Sequence, residues 1–169
     1  SLAFAGRAKL KRVDLSGGAA MTLCDLAIGR GGAWNDQGVI LFSDRSKGLL
    51  RIPASGGTPV SVKRLSPESG ESANYYPQFL PGGEKFLYWA RFNDPEKSGI
   101  YLGSLDGKPP ALVQRTAFAG VYDRASKALL YVQDSQTLMA RRMELDPPRL
   151  TGDPLTAAEQ LNVVAANGY

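Results

Sequence analysis

The stretch QFLPGGEKFLYWA, residues 78–90, joins an aromatic residue, a turn with two glycines and a run of apolar and aromatic residues. Similar stretches precede and follow it, at AWNDQGVILFSD (residues 33–44) and VYDRASKALLYVQD (residues 121–134). Each reads as the end of one strand, a polar turn and a second strand of mixed β-branched, Leu and aromatic composition. The chain is therefore built from internal repeats.

The spacing of these repeats indicates a particular architecture. Their aromatic residues Trp34, Phe79 and Tyr122 lie 45 and 43 residues apart. A period of this length is typical of the four-stranded blades of a β-propeller. We predict an all-β fold, a β-propeller of about four four-stranded antiparallel blades, which is either a ring of its own or a fragment of a larger one. We expect Trp34, Phe79 and Tyr122 to pack in the core, because repeated positions usually serve the repeated core.

A second set of repeats supports the same fold. LKRVDLSGG (residues 10–18), LLRIPASGG (residues 49–57) and IYLGSLDGK (residues 100–108) each place an alternating strand before a hairpin turn that contains glycine. A fourth copy, LMARRMELDPPRL (residues 138–150), has Asp-Pro-Pro at residues 146–148 in place of the glycines. We expect these residues to turn the chain through a longer loop.

The repeats resemble the TolB-like propeller repeats of many bacterial proteins, including regions beyond the membrane anchor of bacterial serine/threonine kinases. The resemblance covers nearly the whole chain. It is carried by GGAWNDQGVILFSD (31–44), GLLRIPASGGTPVSV (48–62), YYPQFLPGGEKFLYWA (75–90) and GIYLGSLDG (99–107). Residues 77–83 come nearest to the family pattern Pro-x-Phe-Ser-Pro-Asp-Gly. The resemblance implies a module of a larger bacterial protein, and it favours an extracytoplasmic or periplasmic location over a cytoplasmic one.

The repeats divide the chain into four predicted blades. Their limits are about 1–27 together with a closing strand at 160–169, then about 30–66, 74–115 and 117–158. SLAFAG, residues 1–6, resembles a second strand, so the first blade lacks its innermost strand, and QLNVVAANGY, residues 160–169, resembles the missing one. The ring could close on itself, or two copies could form a homodimer that completes a larger propeller. The resemblance favours the larger ring, because the family usually has more than four blades.

Composition narrows the classes of partner. The net charge of +4 is mildly basic, but Lys and Arg are scattered among nearly as many carboxylates, so we predict no nucleic-acid partner. No apolar run reaches the roughly 18 residues of a membrane span, and the N-terminus lacks the pattern of a signal peptide. The single cysteine, Cys24, excludes an intramolecular disulfide and a multi-cysteine zinc site.

The sequence offers little for catalysis. It contains no histidine, which excludes Ser-His-Asp and Cys-His arrangements and histidine zinc sites. We predict no catalytic residue, no cofactor and no metal site. The best metal candidates, Asn93, Asp94 and Glu96, lack the regular spacing of a calcium loop. A propeller enzyme that uses paired carboxylates stays open as an alternative, provided that acidic residues converge around the channel.

A ligand site is expected at one mouth of the central channel, where the connections into the innermost strands converge. The segment NYYPQ, residues 74–78, stands out there because it combines aromatic area with hydrogen-bonding groups. Strand alternation places Tyr75 and Tyr76 on opposite faces. The candidate binding residues are Asn74, Tyr75, Tyr76, Gln78, Arg30 and Arg91.

These observations lead to three hypotheses about function. The first is a non-catalytic protein-interaction or ligand-sensing module, whose partner is a protein, a peptide or a small molecule. The second is a carboxylate-based propeller hydrolase. The third is a sugar- or peptide-binding module that uses the surface of Tyr75 and Tyr76.

Overall fold

The computed structural model describes residues 1–162, which form fifteen β-strands in four antiparallel sheets. The first sheet contains β1 (Leu2–Gly6), β2 (Lys9–Val13) and β3 (Met21–Asp25). The second contains β4 (Gly32–Trp34), β5 (Val39–Asp44), β6 (Gly48–Pro53) and β7 (Val60–Lys63). The third contains β8 (Glu71–Phe79), β9 (Lys85–Phe92), β10 (Gly99–Ser104) and β11 (Ala111–Arg115). The fourth contains β12 (Gly120–Asp123), β13 (Ala128–Gln133), β14 (Thr137–Leu145) and β15 (Pro148–Ala158).

Each sheet is a meander in which every strand pairs with the next one along the chain. This is the construction of a propeller blade, whose first strand is the innermost. The predicted fold class is confirmed: the protein is all-β, with blade-like antiparallel sheets. The first sheet has three strands within the described residues. The expected closing strand at 160–169 lies outside them from residue 163 onward.

The middle strands of the second and third sheets are apolar on both faces because a neighbouring sheet covers each face. In β5, Ile40 and Phe42 pack towards the first sheet, whereas Leu41 packs towards the third. In β9, Phe86 packs towards the second sheet and Leu87 towards the fourth. Successive side chains of a strand point to opposite faces, so a strand between two neighbours needs apolar residues at every position.

Three hydrophobic clusters join successive sheets. The first joins sheets one and two, and includes Leu10, Leu23, Ile40, Phe42 and Ile52. The second joins sheets two and three, and includes Leu41, Leu49, Phe79, Phe86 and Tyr88. The third joins sheets three and four, and includes Leu87, Ile100, Tyr122, Leu129 and Tyr131. No cluster within residues 1–162 joins sheet four back to sheet one, so these sheets form an arc with two end faces.

The repeated aromatic residues serve these clusters, as their spacing predicted. Phe79 and Tyr122 are buried, and each lies at or next to the end of the first strand of its sheet. Trp34 is half-buried against the first cluster, with the guanidinium carbon of Arg12 5.5 Å from its ring centroid. The aromatic position of the repeat is therefore a packing position.

Polar side chains at the turns form hydrogen bonds between neighbouring sheets. Asn35 Oδ1 accepts hydrogen bonds from the backbone N–H groups of Gln37 and Val39 within its own turn. Its Nδ2 donates to the carbonyl oxygen of Gly83 in the next sheet at 2.9 Å. A Cβ on Gly83 would lie 3.1 to 3.2 Å from the Asn35 side chain. The turn of one sheet is thus fixed to the corresponding turn of the next.

The connection between β14 and β15 differs from the expectation. Leu145 pairs directly with Pro148, so only residues 146 and 147 turn the chain and no longer loop forms. The prediction of a longer loop was wrong because Pro148 lies in a strand. Proline lacks the N–H of a ladder bond, but the first residue of an edge strand tolerates it.

The helical content of residues 1–162 is limited to two short 3₁₀ segments, Pro67–Ser69 and Pro95–Lys97. No helix in this part of the chain is long and apolar enough to cross a membrane.

A candidate aromatic binding pocket

An open pocket of about 690 Å³ lies between the third sheet and the connection into the fourth. Its walls come from β8, β9, the loop after β9 and the connection between β11 and β12. Five aromatic residues of the described chain line it: Tyr75, Tyr76, Trp89, Phe92 and Phe118. Two arginines, Arg91 and Arg115, line it as well. We call this cavity the aromatic pocket.

The backbone at Tyr76 determines how the two tyrosines are placed. Tyr76 has a φ of 53°, in the left-handed region, and the pairing of β8 with β9 is irregular between Tyr75 and Gln78. The two tyrosine rings lie 6.0 Å apart, centroid to centroid, at 63°. Both line the aromatic pocket, so the prediction that they lie on opposite faces was wrong. Alternation requires extended backbone, and a left-handed residue interrupts it.

The connection into the second sheet supports this conformation. The N–H of Tyr76 donates to the carbonyl oxygen of Arg30 at 2.9 Å. Gly31 has a φ of +83°, and a Cβ there would lie 2.9 Å from the Cα of Tyr76. Glycine is therefore required at position 31 both by its own conformation and by the close approach of Tyr76.

Two stacked rings form an aromatic platform in the lining of the pocket. Tyr75 and Trp89 are cross-strand partners, and their rings are stacked at 6.2 Å and 23°. The indole Nε1 of Trp89 donates to the carbonyl oxygen of Thr116 at 3.1 Å, which fixes the ring against the connection into sheet four. The guanidinium carbon of Arg30 lies 5.4 Å from the centroid of the Tyr75 ring. A rigid aromatic surface of this kind can receive a flat or apolar group at little cost in entropy.

The two arginines of the pocket differ in their partners. Arg115 donates from Nε to the carbonyl oxygen of Glu96 at 2.9 Å, and the Glu96 carboxylate lies 4.0 Å from the same nitrogen. Arg91 is exposed, and its guanidinium makes no hydrogen bond or ion pair with any residue in the range 1–162. Among the described residues, the pocket therefore contains one guanidinium, that of Arg91, which is available to a ligand.

Asn74, a predicted binding residue, lies in a buried network outside the pocket lining. With its amide oriented to match the surrounding donors and acceptors, it donates to the carbonyl oxygen of Ala73 at 3.1 Å and to Glu71 Oε1 at 2.9 Å. Glu71 Oε2 in turn accepts from Lys63 Nζ at 2.6 Å and from the N–H of Ser66 at 2.8 Å. This network fixes the connection between sheets two and three, and Asn74 does not line the pocket.

Gln78 is also engaged elsewhere. Its amide bonds to the backbone of Tyr122 in the next sheet, and it does not line the pocket. The structure therefore brings Tyr75, Tyr76 and Arg91 together around the cavity, with Arg30 against Tyr75. It places Asn74 and Gln78 in the supporting framework.

Trp89, Phe118 and Arg115 line the pocket but are not among the binding residues predicted from the sequence. Trp89 belongs to the repeated apolar run, and its pairing with Tyr75 depends on the register between β8 and β9. Phe118 lies within residues 117–119, one of the connections into an innermost strand. A ligand site is expected at such connections, so this position could have indicated Phe118.

The acidic side chains near the pocket have structural partners. Asp94 accepts the N–H of Glu96 and so caps the 3₁₀ turn Pro95–Lys97, while the N–H of Asn93 donates to the carbonyl oxygen of Gly70. Within the described part of the chain, no group of three or more Cys, Asp or Glu residues is arranged to hold a metal ion.

A second pocket, of about 660 Å³, lies where the third sheet faces the second, around the hairpin between β10 and β11. It is lined by charged and polar groups, including Arg51, Glu84, Lys85, Asp106 and Lys108. Lys108 already forms an ion pair with Asp106 at 2.8 Å. We favour the aromatic pocket as the functional site because several aromatic rings line it and the Arg91 guanidinium has no partner among residues 1–162.

No protein-family model matches the sequence, and no curated protein matches it. Among solved structures, the chain is similar to one described as TolB from Agrobacterium tumefaciens, with a TM-score of 0.61 and 13% sequence identity. The match covers 88% of this chain and 55% of the other, so this chain spans about half the length of that protein. The arc of blade-like sheets and this likeness together show that the protein has a TolB-like β-propeller fold, of which these residues form a part.

Proposed function

We propose that this chain is a non-catalytic binding module, in which a set of propeller blades receives a segment of a partner protein or a peptide in the aromatic pocket. One observation carries the proposal. Five aromatic rings of the described chain line a cavity of about 690 Å³, together with the Arg91 guanidinium, which has no partner among residues 1–162. Aromatic residues and arginine are enriched in protein interfaces and among their most important contacts.

The pocket aromatics differ from those that hold the sheets together. Phe79 and Tyr122 occupy the repeated position and are buried, whereas Tyr76 is 38% exposed. Packing between the blades leaves part of the Tyr76 ring in water. A partner that covers it would bury more apolar area and would gain free energy from doing so.

The acidic groups around the pocket favour binding over hydrolysis. A carboxylate-based glycosidase needs two carboxyl groups, about 5 to 9.5 Å apart, on either side of the scissile bond. Among the described residues that line the aromatic pocket, Glu96 has the one carboxylate, which lies 4.0 Å from Arg115 Nε. This arrangement supports the proposal of a module without catalytic activity.

Selection from a random peptide library on the purified chain tests the proposed function. We expect the selected peptides to bind the parent protein and to lose at least about tenfold in affinity, or about 1.4 kcal/mol, with Tyr76→Ala. Phe4→Ala is a matched control, because Phe4 is also 38% exposed and lies in the first sheet. The proposal would be wrong if no peptide were selected, or if Tyr76→Ala and Phe4→Ala behaved alike.

A further inference from the structure

We infer that the aromatic pocket selects an acidic peptide, in which a Glu or Asp side chain binds Arg91 and an aromatic side chain two residues away packs on Trp89 and Tyr75. This inference rests on the proposed function and names the class of ligand for the same site. It follows from the charge of the pocket and from the spacing of its groups.

The charge of the pocket favours an acidic ligand. Gly99 pairs with Ala90 on one side and with Arg115 on the other, so Arg91 and Arg115 lie at the same end of the third sheet. Glu96 contacts Arg115, and no acidic group of the described chain contacts Arg91. A guanidinium in this position gains most from a carboxylate, which can accept two parallel hydrogen bonds from it.

The spacing on β9 specifies how the ligand is arranged. Trp89 and Arg91 are two residues apart on one strand and both line the pocket, so they share a face of the sheet. Two residues of extended chain span about 6.6 Å. An extended peptide with the sequence Glu-x-Phe or Phe-x-Glu has the same spacing, so its carboxylate and its ring can reach Arg91 and Trp89 together.

Inorganic phosphate fits the site less well than a peptide carboxylate. Phosphate sites usually combine several cations or clustered backbone N–H groups. Here the Arg91 guanidinium is the one without a partner in the described part of the chain, and aromatic rings make up much of the lining. A bare anion would leave those rings uncovered.

Fluorescence of Trp89 provides the test. The chain has two tryptophans, Trp34 and Trp89, so the full chain carrying Trp34→Phe reports on Trp89 alone. Three peptides would be titrated: acetyl-Ala-Glu-Ala-Phe-Ala-amide, the same peptide with Gln in place of Glu, and a peptide with Glu and Phe adjacent. We expect the first to change the emission of Trp89 and to bind at least about tenfold more tightly than the Gln peptide.

Two variants that each remove a positive charge identify the group that binds the Glu side chain of the peptide. Arg91→Gln should abolish the preference for Glu over Gln. Arg124→Gln should leave it intact, because Arg124 is exposed in the turn between β12 and β13 and does not line the pocket. Added salt should reduce the preference, as expected for a partly exposed ion pair.

The outcomes separate this inference from the proposed function. If the Glu and Gln peptides bind equally, or if the preference survives Arg91→Gln, the inference is wrong while the binding module stands. If the peptide with adjacent Glu and Phe binds as tightly as the one with these residues two positions apart, the inferred spacing of the ligand is wrong. If neither these peptides nor any library peptide binds, the proposed function fails as well.

Discussion

Gln78 and Tyr122, which are 44 residues apart, exchange two hydrogen bonds across the boundary between the third and fourth sheets. Gln78 Nε2 donates to the carbonyl oxygen of Tyr122 at 3.0 Å, and the N–H of Tyr122 donates to Gln78 Oε1 at 2.7 Å. The separation is close to one repeat, so a side chain of one blade satisfies the backbone of the next. Gln78 therefore stabilises the arc that holds the pocket.

Replacing Gln78 should weaken the junction between these sheets. In Gln78→Ala, the buried backbone groups of Tyr122 lose their partner, at a cost of about 1–3 kcal/mol. Urea unfolding at neutral pH measures the change. Gln136→Ala is the control, because Gln136 is exposed in the turn between β13 and β14. Equal unfolding midpoints for the two variants would contradict the role of Gln78.

Gly31→Ala should displace Tyr76 in the pocket and should also lower the stability of the fold. The added methyl group requires a left-handed Ala, which costs about 1–2 kcal/mol, and it meets the Cα of Tyr76 at 2.9 Å. Gly38→Ala is a matched control, because Gly38 has a φ of +76° and a Cβ there would have no neighbour within 4 Å. We expect both variants to be destabilised, and Gly31→Ala alone to lose affinity for a pocket ligand. Equal affinity in the two would show that Tyr76 does not depend on Gly31.

Tyr88 should make the protein sensitive to alkaline pH. Burial, followed by the negative charge of Glu71, raises the pKa of Tyr88 well above its ordinary value of 10.0. The unfolded chain releases this proton near pH 10 while the folded chain keeps it. The contribution of Tyr88 to the free energy of unfolding is therefore fully present below pH 10 and decreases as the pH rises above it.

Tyr88→Phe tests this effect. The hydroxyl of Tyr88 is buried without a hydrogen-bond partner among residues 1–162, so its removal should leave the stability at pH 7 unchanged or raise it by about 1 kcal/mol. Stability above pH 10 should fall less steeply than in the parent chain. Urea midpoints of both proteins from pH 7 to pH 11 give the comparison, and parallel curves would contradict the assignment to Tyr88.

The end face of the fourth sheet should promote self-association. Val121, Leu130, Ala140 and Leu155 are successive cross-strand partners, and Val121 and Leu155 are 53% and 69% exposed. The equivalent faces of the inner sheets are covered by a neighbour. We expect light scattering to give a mass that rises with concentration above the 18.1 kDa of one chain, towards a dimer.

Leu155→Glu should shift this equilibrium towards the monomer, because it places a charge in the apolar face. Leu15→Glu is the control, since Leu15 is 79% exposed and lies in the connection between β2 and β3. A compact monomer at every concentration would rule out the homodimer.

The repeat could be predicted from the sequence because a blade is a local structure. Its strands are consecutive and its turns are short. A buried aromatic residue recurs in its first strand at nearly constant spacing, as at Phe79 and Tyr122. The direction of the Tyr76 side chain could not be predicted in this way, because alternation requires an extended backbone and this residue has a φ of 53°. The loop predicted at residues 146–148 was also wrong, because the turn there is shorter than its composition suggested.

The sequence by itself determined the blade period, most of the strands and the turns that contain glycine, since these depend on neighbours a few residues apart. Only the tertiary structure decided which aromatic residues pack between sheets and which line a cavity. The aromatic pocket joins Tyr75, Trp89 and Phe118, which come from two strands and from the connection into the next sheet. Their meeting depends on strand register and on the contact between neighbouring blades, which are long-range properties. The placement of Gln78 in the framework and of Arg91 at the pocket depends on the same long-range packing.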